Sequence, residues 1–373
     1  MSVERGRIGA ALVIGLAGVA GTACGQSVIP LPAIGGSESL AWGINEVRQI
    51  VGESLIAGDV QAHATLWESE SPRDLSPGSG GAYSVAYAIN NRGDAAGLTT
   101  LASGLDTATV WTGGGALVDI GAAMGVAGSS LAWAINDAGV VAGQGQLGPG
   151  FSKGFVYDGV GGGRVVNLDG YMGGANRGIN NEGVVVGSSF FFGDPDDAHL
   201  GTPDDRGGYG VEQIGPGGFS FEIASDINNQ GTIVGWTNDG SGPWQACVFH
   251  PGERDSFTTL GSLPEFETSE AYAINDLGDI VGSTLDDDFL LDPHAWVWHA
   301  GVMYDLNDFL SPGRTEWQVL LSATGINNRG DIVGYGVNAE GFLQGFVIYG
   351  AVPAPSGLAA FAVGMVGVAR RRR

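Results

Sequence analysis

One short segment recurs seven times along the chain, and it constrains the fold more than any other feature. In the copy "AYAINDLGDIVGST", an apolar stretch is followed by Asn-x-x-Gly and then by a second apolar stretch. The Asn of the successive copies stands at residues 45, 90, 136, 180, 228, 275 and 327. A spacing near 45 residues accommodates four short strands and their turns, the unit of a β-propeller blade. The sequence therefore predicts an all-β fold, a seven-bladed β-propeller.

A complete repeat contains four candidate strands. The first two, as in "AYAI" and "DIVG", flank a turn where Asn and Gly tolerate the left-handed backbone of a tight hairpin. The third is a run such as "ATVW" or "AWVW", and the fourth follows a Gly or Pro turn, as in "LVDIG". Helical solenoids of similar period need amphipathic helices, and the many Gly and β-branched residues argue against them.

The two ends of the repeat region complement each other. The seventh repeat stops after its third strand, "GFVIYG", whereas "VIPLPAIGG" at residues 28–36 precedes the first repeat. We expect residues 28–31 to pair beside residues 345–349 as the fourth strand of the last blade. Such pairing closes the ring and removes an exposed sheet edge. The predicted propeller domain covers residues 27–350.

Small residues occupy the third position of the first strand in six repeats, which are Gly43, Ala88, Ala134, Gly178, Ala273 and Gly325. This pattern indicates that the first strand is the innermost one, where large side chains would collide. Asp226 stands at this position in the fifth repeat. It would either point into the central channel or be a solvated residue at the hairpin edge, and we adopt the second interpretation.

The repeats resemble the HAF repeat, a bacterial extracellular repeat named for a His-Ala-Phe run. "HATLW" from His63 and "HAWVW" from His294 carry the first two residues of that run, and Ile-Asn-x-x-Gly and Val-Gly recur in nearly all copies. The first copy departs with Arg48 at the turn glycine, and the fourth has no clear third strand. The resemblance implies a secreted or surface-exposed protein and brings no catalytic residues with it.

The N-terminus has the features of a secretory signal peptide, which we assign to residues 1–25. Arg5 and Arg7 precede an apolar run at residues 8–20, and small residues follow it. Cleavage before Cys24 would allow lipidation, but Gly21 stands where a lipoprotein signal has Leu, and we favour an unmodified N-terminus. The second cysteine, Cys247, lies in the apolar run "ACVF" and is interpreted as a packed core thiol.

The C-terminal segment, residues 351–373, resembles the PEP-CTERM sorting signal of bacterial surface proteins. It combines Pro353 and Pro355, an apolar run at residues 357–369, and Arg370, Arg371, Arg372 and Arg373. The family pattern has Glu where this chain has Ala354. The resemblance implies an exosortase-like processing enzyme as partner and a transient membrane association. We expect cleavage near Pro355 and release to the cell surface or matrix, with a retained membrane anchor as the alternative.

The charge of the chain excludes one class of partner. Between the two terminal segments there are 10 Lys and Arg against 39 Asp and Glu. A body this acidic repels phosphate backbones, so no nucleic acid partner is expected.

No motif for catalysis or cofactor binding is present, so a non-enzymatic protein is expected. We find no zinc-type His-Glu-x-x-His, no Gly-x-Ser-x-Gly and no phosphate-binding loop. The repeated Asn residues are interpreted as turn formers, and His63 and His294 as structural residues whose rings bond a neighbouring turn.

Two acidic stretches depart from the repeat. "LDDDFLLD" in the sixth repeat holds four Asp between residues 286 and 292. The fourth repeat carries a set for which we consider calcium, namely Asp194, Asp196, Asp197, Asp204 and Asp205. Oxygen-rich loops suit calcium, but the spacing fits no EF-hand, and a solvated acidic loop is the simpler interpretation, which we prefer.

Two functions remain at this point. The preferred one is a non-catalytic surface or matrix protein that binds polysaccharide or a surface protein. The alternative is an extracellular hydrolase or lyase in which acidic loop residues act as general acid and base. Trp42, Trp133, Trp236 and Trp244 could stack on sugars, but we expect tryptophans at repeat positions to lie in the core.

Overall fold

The structure is a computed structural model. Its described residues are 27–77, 82–148, 150–159, 163–167, 170–190, 196–215, 221–238, 242–252, 256–285, 293–310 and 316–352. The predicted signal peptide and the sorting residues Pro353, Pro355 and Arg370 to Arg373 lie outside these ranges and stay predictions. None of the helices in the described ranges is long and apolar enough to cross a membrane.

Seven antiparallel sheets of four strands form the predicted seven-bladed propeller. The first blade contains β2 (Ser39–Ile44), β3 (Gln49–Leu55), β4 (Ala62–Glu68) and β5 (Ser71–Asp74), and the second contains β6 (Ser84–Ile89), β7 (Ala95–Thr100), β8 (Asp106–Trp111) and β9 (Leu117–Asp119). The third contains β10 (Ser130–Ile135), β11 (Val141–Gly145), β12 (Lys153–Tyr157) and β13 (Arg164–Val165). The fourth contains β14 (Gly173–Ile179), β15 (Val185–Phe190), β16 (Asp197–Pro203) and β17 (Tyr209–Gln213).

The last three blades follow the same order. The fifth contains β18 (Glu222–Ile227), β19 (Ile233–Thr237), β20 (Gln245–Phe249) and β21 (Phe257–Gly261). The sixth contains β22 (Thr268–Ile274), β23 (Ile280–Leu285), β24 (Ala295–His299) and β25 (Val302–Asp305). The seventh contains β26 (Trp317–Ile326), β27 (Ile332–Asn338), β28 (Leu343–Ile348) and β1 (Ile29–Leu31). A short helix α1 (Ile120–Met124) follows β9, and a 3₁₀ helix (Leu306–Phe309) follows β25.

The closing strand pairs as predicted. β1 runs antiparallel to β28, with Ile29 opposite Val347 and Leu31 opposite Gly345. The chain remains packed slightly beyond the predicted boundary at residue 350, since Ala351 and Val352 are buried in the junction between the sixth and seventh blades.

The fourth blade differs from the expectation of an inserted acidic loop. Its third strand is β16, which pairs with both β15 and β17. The strand escaped recognition because His199 and Gly201 replace the usual apolar run "ATLW" with "AHLG". A buried His199 is satisfied there by hydrogen bonds to Ser189 (2.9 Å) and to the Asn176 amide oxygen (2.8 Å).

The hydrophobic core lies between neighbouring blades. In the described part of the chain there are seven buried apolar clusters, and each spans one junction. One of them packs Val186 and Leu200 of the fourth blade against Ile233 and Phe249 of the fifth. The same cluster holds Cys247, which is fully buried as predicted, and burial raises the pKa of its thiol.

The predicted crowding of the innermost strands is confirmed by their contacts across the junctions. A Cβ atom added to Gly43 would lie 2.9 Å from the carbonyl oxygen of Tyr87 in the next blade. One added to Gly178 would lie 2.8 Å from the Cα of Asp226. Small residues at this position therefore allow the seven innermost strands to approach one another around the axis.

Candidate functional site

The Asn-x-x-Gly turns do more than reverse the chain. In each copy the Asn side-chain oxygen accepts hydrogen bonds from the backbone N–H groups two and four residues later, as Asn136 does from Ala138 (3.1 Å) and Val140 (2.9 Å). Its Nδ2 then donates to the backbone carbonyl of the corresponding Asn in the next blade, as Asn136 does to Asn180 (3.0 Å). The predicted turn role is confirmed, but the contact between blades was not foreseen.

These contacts between blades form a closed ring. Seven such bonds of 3.0–3.4 Å run from blade to blade, and the last joins Asn327 to the carbonyl of Asn45. A second ring lies beside it, in which the backbone N–H of the following residue donates to a side-chain oxygen one blade on. Its members are Glu46, Asn91, Asp137, Asn181, Asn229, Asp276 and Asn328. We call this end of the channel, the seven turns from Asn45 to Asn327, the asparagine face.

A β-bulge interrupts the innermost strand of every blade at the same place. In the first blade the register shifts between Ala41 and Gly43, so that Trp42 is the extra residue. In the second to seventh blades the corresponding extra residues are Tyr87, Trp133, Arg177, Ser225, Tyr272 and Thr324. A bulge interrupts the regular alternation of side chains between the two faces of a strand and so redirects the extra residue. All seven extra residues line one cavity on the axis.

The glycine of the repeated Val-Gly pair faces this bulge. A Cβ atom added to Gly282 would lie 1.9 Å from the carbonyl oxygen of Glu270 on the bulged strand. Gly52 has the same relation to Leu40, and Gly334 to Ser322. The glycine is therefore required because the bulge places a backbone carbonyl where a side chain would be.

The cavity, which we call the axial cavity, has a volume of about 670 Å³ and aromatic walls. Besides the bulge residues it is lined by Tyr83 and by Trp236 and Tyr335 of the second strands. The rings form a nearly continuous arc, in which Tyr335 and Trp42 (5.7 Å between centroids), Trp42 and Tyr87 (5.9 Å), and Tyr87 and Trp133 (4.8 Å) are in contact. Trp236 and Tyr272 (6.0 Å) form a second pair.

The expectation that Trp42, Trp133 and Trp236 lie in the core was wrong. They line the axial cavity, while Trp67 and Trp296 fill blade junctions. The bulge explains the error for Trp42 and Trp133, because it changes the side of the strand on which their rings emerge. Trp244, in contrast, packs on Phe221 (5.5 Å) and does not line the cavity.

Asp226 also lies in the channel, so its assignment to a solvated hairpin edge was wrong. It lines both the axial cavity and the space inside the asparagine face. Its carboxylate accepts hydrogen bonds from the N–H groups of Ile227 (2.8 Å) and Ile274 (3.0 Å). Burial raises its pKa to about 7 despite these two bonds, because the charged form has lost most of its hydration.

Two further acids and one base complete the charge pattern around the cavity. Burial raises the pKa of Glu53, which lines the cavity beside Tyr83 and Trp42, and of Glu270, which accepts from the Tyr272 hydroxyl (2.7 Å). Arg177 is the one Lys or Arg among the described lining residues. Its guanidinium lies 5.2 Å from the ring centroid of Trp133, and burial lowers its pKa.

The acids considered for calcium are spread along β16. Asp197 is buried at the start of the strand and accepts from the Tyr171 hydroxyl, and Asp196 precedes it. Asp204 caps the following turn by accepting from Arg206 and Gly208 (both 2.8 Å), and Asp205 is exposed. Seven strand residues span roughly 23 Å, so one ion cannot contact both ends.

The described residues contain no group of three or more His, Cys, Asp or Glu that could hold a metal ion. Asp194 and residues 286–292 lie outside the described ranges, so calcium at either acidic stretch stays a prediction. His63 and His294 have a structural role, as predicted, but the partner of each Nδ1 is a fourth-strand carboxylate and not a turn: Asp74 (3.0 Å) and Asp305 (2.7 Å).

Comparison with known proteins adds the fold alone. No protein-family model matches the chain, and no curated protein is detectably similar in sequence. Among solved structures, the chain is similar to a puromycin hydrolase variant in complex with PGG (13% identity, TM-score 0.53), covering 81% of this chain and 50% of that one. It is also similar to a prolyl endopeptidase (11% identity, TM-score 0.52), covering 87% of this chain and 50% of that one. A third similar structure is a puromycin-hydrolyzing peptidase of Mycobacterium tuberculosis (13% identity, TM-score 0.51), with 82% of this chain and 50% of that one covered.

The chain spans about half the length of these three proteins. At such identities the likeness establishes the arrangement of blades and gives no information on activity.

Proposed function

We propose that this protein is an exported, non-catalytic propeller that binds a saccharide in its axial cavity. The observation that carries the proposal is the bulge in every innermost strand, which directs Trp42, Tyr87, Trp133 and Tyr272 to the axis. Aromatic faces stack on the apolar faces of sugar rings, and planar polar side chains at the rim of those faces bond hydroxyl groups. The cavity volume lies within the range of small-molecule sites.

Polar groups suited to hydroxyl recognition stand beside the aromatic arc. Glu53 and Asp226 supply acceptor oxygens, and Arg177 and Ser225 supply donors. Aromatic stacking together with such groups favours a saccharide over a protein partner, because a protein surface cannot enter a cavity of this size.

The direct test is a binding titration of the purified propeller, residues 27–352, against a panel of neutral and acidic oligosaccharides. Tryptophan fluorescence reports entry of the ligand, since three tryptophans line the cavity. We expect saturable binding by at least one saccharide class, and its loss in Trp42→Ala and Trp133→Ala. Trp244→Ala is the matched control, because this ring lies away from the cavity and its removal should leave the affinity unchanged.

A polysaccharide-acting enzyme is the second candidate, and one observation favours it. Glu53 and Asp226 line the same cavity, and the pKa of each carboxyl is raised, as a general acid requires. Against this, both Asp226 hydrogen bonds go to backbone N–H groups that hold two strands. Incubation of a bound saccharide followed by detection of new reducing ends or unsaturated products distinguishes the two candidates.

Export belongs to the same proposal and rests on the two terminal segments. Mass spectrometry of the mature protein tests it: we expect an N-terminus near residue 26 and a C-terminus near Pro355. A mature chain that still ends at Arg373 would indicate a retained anchor.

A further inference from the structure

Arg177 is unusual among the residues of the axial cavity. Six of the seven bulge positions hold a neutral side chain, and the fourth blade places a guanidinium there. The chain contains few basic residues, and Arg177 lies at the centre of a strongly acidic protein. Burying a cation costs free energy unless a partner compensates for the lost hydration.

The guanidinium has no such partner in the part of the chain that the structure describes. Among the described residues, no acceptor bonds it and no carboxylate forms an ion pair with it; its Nε is buried without a hydrogen bond. Asp196 and Glu270 act on it only through their longer-range charge. It lies over the face of the Trp133 ring, 5.2 Å from the ring centroid.

Two more unpaired donors flank Arg177 in the adjacent blades. The Nε1 of Trp133 and the hydroxyl of Ser225 are buried without partners in the part of the chain that the structure describes. Three neighbouring bulge positions, in the third, fourth and fifth blades, thus offer hydrogen-bond donors where the protein supplies no acceptor. A buried donor without a partner costs free energy, so an incoming acceptor group is favoured there.

We propose that the ligand of the axial cavity is an anionic saccharide whose acidic group pairs with Arg177 while its sugar ring stacks on the aromatic arc. This inference rests on the proposed function and specifies its substrate class. A planar guanidinium matches two oxygens of one acidic group, and the match is strongest where water is excluded. Uronic acids and sulfated sugars both present such oxygens on a ring that can stack.

The aromatic arc that begins beside Arg177 fits the remainder of such a ligand. Tyr335, Trp42 and Tyr87 form the arc that ends at Trp133 beside Arg177. A sugar ring bound on the arc next to Trp133 therefore has its acidic group directed toward the guanidinium. The carboxylate of Glu53, beside Trp42 and Tyr83, is then available for a hydroxyl group.

The experiment uses matched ligands that differ only in charge. Calorimetric titrations compare trisaccharides of galacturonate and of glucuronate with their methyl esters, and add a sulfated galactan trisaccharide with its desulfated form. We expect the charged member of one pair to bind about 10- to 100-fold more tightly than its neutral member, the range expected for a charge-assisted pair. Which pair shows the difference identifies the acidic group as carboxylate or sulfate.

Variants of Arg177 assign the difference to this residue. Arg177→Gln should remove most of the preference for the charged member, and Arg177→Lys should retain part of it. Arg177→Thr is a second test, because Thr324 already occupies the same position in the seventh blade and the fold accommodates it. Melting temperatures and circular dichroism confirm that each variant is folded.

The outcomes separate this inference from the proposed function. Equal affinity for charged and neutral members, with tight binding lost in Trp133→Ala, would overturn the anionic ligand and leave saccharide binding standing. A preference for charge that persists in Arg177→Gln would also overturn the assignment to Arg177. Absence of binding to every saccharide would overturn both proposals.

Discussion

The two ends of the central channel are built from adjacent residues of the same repeat, yet they have different physical character. At the asparagine face every side-chain amide has its hydrogen bonds, and the seven turns are nearly identical. Three residues earlier in each innermost strand, the bulge positions carry Trp, Tyr, Trp, Arg, Ser, Tyr and Thr. Uniform and satisfied groups stabilise a ring, whereas varied groups with unpaired donors are suited to recognition. We therefore assign stability to the first end and binding to the second.

The largest loss of stability is expected in the paired first and second strands of a blade, on which both ends of the channel depend. Gly282→Ala would place a Cβ 1.9 Å from the Glu270 carbonyl and 2.6 Å from the Trp296 ring. Either the bulge or the blade must distort, and we expect a loss of about 3 kcal/mol or more in the free energy of unfolding. Gly210→Ala is the control, since a Cβ there meets no atom within 4 Å. Equal urea midpoints for the two variants would contradict the role of the bulge.

The second prediction separates the two ends directly. Asn136→Ala removes two bonds within its turn and one to the next blade, and should cost about 2–3 kcal/mol. Trp133→Ala, three residues earlier, should cost only about 1 kcal/mol, because its ring stacks on Tyr87 and its N–H has no hydrogen-bond partner among the described residues. Chemical denaturation measures both, and saccharide titration should show the reverse order of effects. A large stability loss with unchanged binding in Trp133→Ala would contradict the division of roles.

The third prediction concerns Asp226, which lies between the two ends. Its pKa of about 7 exceeds the ordinary value of 3.8, so the folded protein holds a proton that the unfolded chain releases earlier. The associated stability is present below about pH 4 and is lost as the pH rises toward 7, by about 2 kcal/mol after allowance for water in the cavity. Asp226→Ala, which restores the residue type of Ala88, should abolish this slope. Melting temperatures from pH 4 to 8 measure it, with the exposed Asp205→Ala as control; an unchanged slope in Asp226→Ala would refute the assignment.

The smallest effect is expected at the junction that closes the ring. Arg48 pairs with Asp331 through two bonds (2.8 and 3.1 Å) and lies 4.5 Å from the centre of the Tyr349 ring. It adopts a left-handed backbone (φ 66°), which glycine adopts in the other six turns. Arg48→Gly therefore loses the ion pair but relieves strain, for a net cost of about 1 kcal/mol, and Arg48→Ala should cost more because it keeps the strain. Equal melting temperatures for the two variants would indicate that the backbone is unstrained.

The sequence alone determined the architecture because its signals are local and repeated. Asn-x-x-Gly specifies the turn through backbone conformation, the period sets the blade, and the strand before the first repeat replaces the one missing from the last. The sequence also contains a signal for the rings between blades: the residue after each Asn is always Asn, Asp or Glu. A side-chain acceptor at every copy of the same turn position is what a ring of hydrogen bonds requires.

Only the tertiary structure decided where the aromatic residues point. Trp42 and Trp133 alternate with small residues in the same way as core positions do, and nothing in "LAWGI" or "LAWAI" marks the extra residue of a bulge. The bulge arises from close packing: the innermost strands touch across each junction, and the glycine opposite leaves room for the displaced carbonyl. Whether Arg177 has a partner likewise depends on which side chains the ring brings near the axis, and these come from blades far apart in sequence. The period of the repeat thus fixes the propeller, and packing between the blades fixes what lines its channel.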